Sequence, residues 1–336
     1  MENLLERKLV VVTGKGGVGK TTIAAAIALL AARRGHRTIV VEVGDQRRLA
    51  ELFGSPPAEA GVETRLAQRL WGITIDPDKA LLEWVQELGG RIPGRILTSS
   101  GTFQYFAAAA PGAKELFGMV KVWELTQGRR WQRRAAGYDL VVLDAPATGN
   151  ALGMLHSPET FGAIARVGPV AGQAKRVGEL LRDPQRSAYV AIAQGTDMAV
   201  TETIELQDGL QERIGRDLSG VIVNGLLPQR FSSAELERIG ALDGDGAGAR
   251  RRMSAAAGLR HSAAHAARAV HDRARFQHNQ VARLRRRGFE VLPVPFLWRA
   301  SLDEQALATI ADHLERRLLE GAAAGGQEQP AADPGR

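Results

Sequence analysis

The chain has 336 residues, of which 44% are hydrophobic, so it can form one large α/β domain or two smaller ones; its formal net charge is +7. It contains no cysteine, which excludes disulfides, thiolate zinc sites, iron–sulfur ligation and a catalytic thiol. No stretch approaches the roughly 20 apolar residues of a membrane span, and the N-terminus leads directly into a predicted strand without a signal peptide, so we expect a cytoplasmic protein with no integral membrane segment.

The first predicted element is a buried parallel strand over residues 8–12, which are apolar and mostly β-branched. A glycine-rich loop follows, and then a helix rich in alanine and leucine that ends at Gly35. Strand, glycine loop and helix form the required order of a phosphate-binding loop. This context favours a nucleotide site over a glycine-rich turn without a ligand.

The loop reads G-K-G-G-V-G-K-T-T and fits the pattern G-x-x-x-x-G-K-[ST]. Glycines let successive backbone N–H groups point at a phosphate, Lys20 supplies a positive charge for the β- and γ-phosphates, and the Thr21 hydroxyl can ligate Mg²⁺. The start of the helix adds a partial positive charge. The residues predicted to contact ATP here are Gly14, Lys15, Gly16, Gly17, Val18, Gly19, Lys20, Thr21 and Thr22.

Further strands alternate with helical stretches along the chain. This alternation predicts an α/β fold with a doubly wound, mostly parallel sheet, in which ligands bind at the carboxyl ends of the strands. The predicted strands are 37–43, 138–144, 218–224 and 289–294, with a weaker one at 187–193. Several polar residues lie at the carboxyl ends of these strands, namely Asp45, Asp144 and Asn224.

Asp144 ends the apolar strand 138–144, and a carboxylate at that edge of the sheet can hold Mg²⁺. A cap on the strand end is the competing interpretation, but the phosphate-binding loop favours the metal role. Gly149, in the small-residue segment that follows, can present its backbone N–H to the γ-phosphate. Thr21 and Asp144 are therefore the predicted metal ligands.

We predict a single domain over residues 1–320, with helical insertions at about 78–135 and 158–185, a helical segment at 232–287 and a disordered tail at 321–336. Within the first insertion the better helical segments are 78–88 and 113–134. This insertion carries apolar side chains that either line a groove or pack on the core, and packing is favoured. They are Leu81, Leu82, Trp84, Val85, Leu88, Phe103, Tyr105, Phe106, Leu116, Phe117, Val120 and Trp123.

The segment 232–287 is basic, with arginines concentrated at 250–252 and 283–287. No aromatic residues are interleaved with these runs to stack on bases, so a nucleic-acid partner is not expected. His261 and His265 have the i, i+4 spacing of a metal pair, but a solvated helix face is favoured because no carboxylate or thiolate is fixed nearby.

The loop with its additional Lys15 resembles the deviant Walker A group of ATPases, which includes MinD, ParA, the nitrogenase iron protein and the ArsA/guided-entry ATPases. Four further segments resemble the ArsA/guided-entry family in particular. They are residues 138–152, similar to that family's switch II, and the stretches 111–115, 221–224 and 293–296. The resemblance spans about residues 8–319 and is most specific at 14–22.

The resemblance implies a Mg²⁺-dependent ATPase that forms a homodimer or a heterodimer with a paralogue. It implies that Lys15 reaches across the dimer to the partner's nucleotide, where a cation offsets charge on the transferring phosphoryl group. It also implies that Asn224 reads the adenine base, although Asn224 could instead satisfy a turn. Pro295 and Phe296 lie in the segment 293–296, which in relatives closes over adenine.

The chain departs from the family at switch I. Relatives carry an aspartate there that orients the attacking water, but this chain has Gly44 at that position and Asp45 one residue later. We therefore expect Asp45 to position the water and hydrolysis to be slow, and otherwise the chain would be an ATP-dependent scaffold that hydrolyses poorly. Asn150 likewise replaces a histidine that is common after the switch II glycine.

The insertions of such ATPases couple the ATP cycle to a partner. Without thiolates, an apolar protein client or membrane-protein partner is favoured here over an oxyanion. The alternative function is that of a ParA- or MinD-like partitioning or positioning ATPase. A MinD-like protein would end in a basic amphipathic helix, whereas the predicted terminal helix at 303–319 is followed by a polar tail.

Overall fold

The computed structural model describes residues 1, 3–43, 48–89, 112–132, 135–164, 167–243 and 255–325. Its strands form one eight-stranded sheet. They are β1 (Leu9–Gly14), β2 (Thr38–Val43), β3 (Thr64–Ala67), β4 (Leu70–Ile75), β5 (Leu140–Ala147), β6 (Ser187–Ala193), β7 (Gly220–Leu226) and β8 (Val291–Pro295).

The strands lie in the order β3-β4-β2-β5-β1-β6-β7-β8, and every neighbouring pair except β3–β4 is parallel. From β1 the chain therefore winds outward to β2 and β4 on one side, and later to β6, β7 and β8 on the other. Parallel crossovers are right-handed, so winding in two directions places helices on both faces of the sheet. The predicted fold class, a doubly wound and mostly parallel α/β sheet, is confirmed.

Two strands were not predicted, β3 and β4 at the edge of the sheet beyond β2. The signal was present, because residues 70–75 read L-W-G-I-T-I, a short apolar and β-branched run that follows the turn at Gln68-Arg69. This run is too short to be distinguished from a loop by periodicity alone. The other six strands match the predicted segments to within a few residues at each end.

Within the described residues there are ten α-helices and a 3₁₀ turn at Leu4–Glu6. The helices are α1 (Lys20–Arg33), α2 (Arg48–Leu52), α3 (Pro77–Gly89), α4 (Ala113–Leu125), α5 (Thr148–Ile164), α6 (Pro169–Arg182), α7 (Asp197–Ile214), α8 (Ser233–Asp243), α9 (Ala255–Arg286) and α10 (Glu304–Gly325).

Helix boundaries differ from the predicted ones in three places. The helix predicted over 113–134 ends at Leu125, and the stretch predicted over 158–185 is two helices, of which α5 already begins at Thr148. Helix α10 continues to Gly325, past the predicted boundary at residue 321, and residues 326–336 lie outside the described residues.

The apolar side chains of the first insertion mainly pack inward. Trp84, Val85, Leu116, Phe117 and Val120 are buried, and the rings of Trp84 and Phe117 lie 5.8 Å apart. Leu82 is exposed. Phe103, Tyr105 and Phe106 lie outside the described residues. The finding that the side chains of this insertion mainly pack on the core therefore applies to α3 and α4 alone.

Candidate functional site

The glycine loop lies between β1 and α1, where the direction of winding reverses and ligands bind in folds of this class. Gly14 has φ of 144°, and a Cβ there would lie 2.1 Å from the Ile192 carbonyl oxygen. Gly19 has φ of 92°, and its Cβ would lie 2.4 Å from Asn224 Nδ2. Both positions favour glycine because their positive φ would strain any other residue, and at Gly14 the Ile192 backbone also blocks a side chain.

The Lys20 ammonium group curls back over this loop, where Nζ donates a hydrogen bond to the Lys15 carbonyl oxygen at 3.0 Å. Burial lowers the pKa of Lys20, while the nearby charges of Asp144 and Glu202 act in the opposite direction. A bound polyphosphate would add negative charge here and favour the protonated lysine. The Lys20 side chain thus lies over the glycine loop and lines the cavity, and its phosphate contact stays a prediction.

Thr21 and Asp144, the predicted metal ligands, contact each other. Thr21 Oγ1 donates to Asp144 Oδ2 at 2.6 Å, whereas Asp144 Oδ1 is buried without a hydrogen-bond partner. Burial raises the pKa of Asp144 to about 6, opposed by the Thr21 hydrogen bond and the charges of Lys20 and Arg48. A hydroxyl beside a buried carboxylate with an unpartnered oxygen is a donor set that suits Mg²⁺.

These groups open onto one cavity of about 800 Å³. Of the predicted ATP contacts and metal ligands, the cavity brings together Gly16, Gly17, Gly19, Lys20, Thr21, Thr22 and Asp144. Gly149 instead lines an adjoining cavity of about 810 Å³, and Asn150 lines both cavities. Asp45 lies outside the described residues.

The residues predicted to contact adenine occur at the ends of β7 and β8. Asn224 Nδ2 donates to the Val18 carbonyl oxygen at 2.9 Å, so its amide braces the glycine loop rather than a local turn. Pro295 is the last residue of β8, and the next residue, Phe296, is 44% exposed. The Phe296 ring packs edge-on against Trp298 with the ring centroids 4.9 Å apart. These exposed rings form an aromatic surface, and Phe296 lies next to Gly225 of β7.

Lys15 forms an ion pair with Glu202 of α7 in the same chain. Both side chains are about 30% exposed. Glu202 could not be predicted as the partner of Lys15, since 187 residues separate the two and no local motif marks Glu202. Lys15 must leave this partner before it can reach any other group.

Two further residues of the cavity were missed by the sequence analysis, Glu42 and Arg48. Glu42 is only 4% exposed, and its Oε1 accepts hydrogen bonds from the backbone N–H groups of Arg48 at 2.9 Å and Leu49 at 3.2 Å. Thr74 Oγ1 donates to Oε2 at 3.3 Å. The sequence signal for Glu42 was a charged residue within the apolar strand T-I-V-V-E-V, because a buried acid requires hydrogen-bond partners.

The two buried acids predict how the stability of the nucleotide-free protein depends on pH. Burial is the main cause that raises the pKa of Glu42 to about 7, against an ordinary value of 4.5, and Asp144 is raised to about 6. The folded state therefore binds more protons than the unfolded state between about pH 4.5 and 7, and stability falls as pH rises through that window.

In urea titrations, we expect Glu42→Gln to reduce this loss between pH 5 and 7.5 by about 1 to 3 kcal/mol relative to the native chain. Glu87→Gln, a change of the same kind on exposed α3, serves as the control. Parallel pH profiles for the native chain and the Glu42 variant would contradict the prediction.

No helix in the described residues is long and apolar enough to cross a membrane. Among those residues, no group of three or more His, Cys, Asp or Glu side chains is placed to hold a metal ion. The interpretation of His261 and His265 as part of a solvated helix face stays a prediction.

Comparisons with known proteins identify the relatives of the chain. A family model described as anion-transporting ATPase matches residues 7–168. The ATPase BagA of Mycobacterium tuberculosis is 32% identical over 248 residues, which cover 71% of each protein. A putative arsenical pump-driving ATPase of Halobacterium salinarum is 27% identical over 67% of this chain and 36% of its own. The ATPase get3 of Schizosaccharomyces japonicus is 28% identical over 52% of this chain and 54% of its own.

Proposed function

Because the chain is an ATPase that belongs to the anion-transporting ATPase (ArsA) family, we propose that it is a Mg²⁺-dependent dimeric switch that couples an ATP cycle to a partner or an apolar protein client. The observation that carries this proposal is the contact between Thr21 and Asp144 at the base of the cavity beside Lys20. This arrangement offers a cation for phosphates and a carboxylate for the metal within one site.

ATP binding follows from the loop and the cavity. The backbone N–H groups of residues 14–22 and the start of α1 favour phosphate oxygens, and the Lys20 ammonium group contributes a full charge. Asn224, Pro295 and Phe296 would contact the base, with Phe296 offering its exposed ring. Gly149 would present its backbone N–H to the γ-phosphate at the start of α5.

Thr21 and Asp144 would hold Mg²⁺. The Asp144 Oδ1 atom is buried without a hydrogen-bond partner, and a cation would satisfy it. Bound there, the ion would supply charge to offset the phosphate oxygens. ATP hydrolysis should accordingly require Mg²⁺ and cease with EDTA.

Hydrolysis also needs a group that positions the attacking water, and we assign this role to Asp45. Asp45→Asn keeps the size of the side chain but removes its charge, so we expect at least a tenfold lower kcat with an unchanged ATP affinity. Steady-state hydrolysis and calorimetry would measure the two quantities. Asp208→Asn, on α7, provides a matched exchange away from the cavity. An unchanged kcat would remove Asp45 from the mechanism.

The partner of the switch is a second copy of this chain or a paralogue, and Lys15 would cross between the subunits. An apolar segment of another protein is the client that fits this chain, because an ATPase without cysteine offers no thiolate for arsenite. Capture from native lysate with hydrolysis blocked, followed by identification of the bound proteins, tests this assignment. Recovery of a related ATPase subunit alone would favour a regulatory ATPase without a client.

A further inference from the structure

The nucleotide cavity contains a cation that the loop motif does not supply. Five charged side chains line this cavity, the cations Lys20 and Arg48 and the acids Glu42, Glu51 and Asp144. Lys15 adds no free charge, since it is paired with Glu202. The described residues that line the cavity therefore carry too little positive charge to balance a triphosphate. Arg48 carries one of the two positive charges.

Arg48 is the first residue of helix α2, and Glu42 of β2 fixes the position of its backbone. Its backbone N–H donates to Glu42 Oε1 at 2.9 Å, and the next backbone N–H, that of Leu49, donates to the same oxygen. The first turn of α2 is thus attached to β2 by a buried carboxylate. The Arg48 side chain itself is exposed and lines the cavity, close enough to Asp144 for its charge to act on that carboxyl group.

Glu42 is placed beside the predicted metal ligand. It is the register partner of Asp144 on the neighbouring parallel strand β5, so the two Cα atoms lie directly across from each other. Thr74 of β4 donates to the remaining Glu42 oxygen and holds the carboxylate from the other side. Through Glu42, the start of α2 is connected to the strand that carries Asp144.

We propose that Arg48 contacts the γ-phosphate of ATP bound in its own chain, and that Glu42 is the positioning residue that holds Arg48 at the cavity. A guanidinium group presents several N–H donors to phosphate oxygens and remains charged at any working pH. The inference rests on the proposed function, because it takes ATP as the ligand of the cavity. It adds a contact, made within one subunit, that ATP can form and ADP cannot.

The test compares affinities for ATP and ADP, measured with Mg²⁺ by calorimetry on the full chain. Arg48→Gln should weaken ATP binding by roughly 10- to 100-fold, the effect of losing a charge-assisted hydrogen bond, and leave ADP binding within about twofold. Arg213→Gln, the same exchange at an exposed position in the last turn of α7, should change neither affinity.

Glu42 is tested by two substitutions. Glu42→Gln retains an oxygen that can accept the Arg48 and Leu49 N–H groups and should preserve most of the preference for ATP. Glu42→Ala removes that oxygen and should lower the preference toward that of Arg48→Gln. Combining Glu42→Ala with Arg48→Gln should then lower it no further. A role confined to stability would instead lower the melting temperature and leave the ATP-to-ADP ratio unchanged.

The outcomes separate this inference from the proposed function. If Arg48→Gln binds both nucleotides as the native chain does, the inference is wrong and the ATP-binding function stands. Equal losses for ATP and ADP would also overturn it, since Arg48 would then act on parts of the nucleotide that both share. If the native chain binds neither nucleotide, the proposed function fails and the inference fails with it.

Discussion

Replacing Lys20 with alanine is expected to weaken ATP binding by roughly 100-fold. Its ammonium group lies over the glycine loop at the cavity, where burial lowers its pKa and a polyphosphate would restore the charge. A charge-assisted contact in such a partly buried site contributes more than an exposed ion pair, so its loss should dominate the phosphate affinity. Calorimetric titration of ATP into the native chain and Lys20→Ala would give the ratio.

Lys175→Ala is the matched control for that experiment. Lys175 is 78% exposed on α6, away from the cavity, and its contact with Glu179 at 4.0 Å is a surface pair. This variant should bind ATP as the native chain does. If Lys20→Ala binds ATP with equal affinity too, the phosphate site does not lie at this loop.

The second large effect is expected for Lys15→Ala, on the rate of ATP hydrolysis by the assembled dimer. We expect ATP to bring two subunits together, and the loss of a crossing cation to lower hydrolysis by roughly 10³-fold while ATP binding by single subunits is largely kept. Hydrolysis rates measured against protein concentration, with sedimentation velocity at the same concentrations, would separate assembly from chemistry. A native chain that sediments as a monomer both with and without ATP would contradict this prediction.

A substitution of Glu202 provides a second test of the role of Lys15. In the single chain Glu202 holds Lys15, so assembly must compete with this ion pair. Glu202→Gln removes the competing charge and should shift ATP-dependent assembly to lower protein concentrations, the opposite direction from Lys15→Ala. Glu205→Gln, one turn further along α7, is a control without a hydrogen bond to Lys15.

The parts of this molecule that could be predicted are those whose signal lies within a short stretch of the sequence. The strand, loop and helix around residues 9–33 follow from composition and a short motif. The metal role of Asp144 also rests on a local pattern, an acid at the end of an apolar run, and stays a prediction. Edge strands β3 and β4 were missed because short runs carry little periodicity.

Contacts between distant segments were beyond sequence reasoning. Glu202 contacts Lys15, and Asn224 contacts Val18, only because the sheet order places β6 beside β1 and β7 beside β6. Glu42 could be noticed as an acid in a buried strand, but its attachment to the start of α2 depends on backbone geometry. Asp45 remains a prediction, as it lies outside the described residues.

The brace between Asn224 and the glycine loop has a consequence for protein synthesis. The Val18 carbonyl accepts a hydrogen bond from a side chain 206 residues later, and the backbone of Gly14 is packed against Ile192 of β6. On the ribosome, the loop therefore emerges long before the strands that support it. A nascent chain that has not yet exposed β7 lacks this support, so the ability to hold a nucleotide should be acquired late in translation.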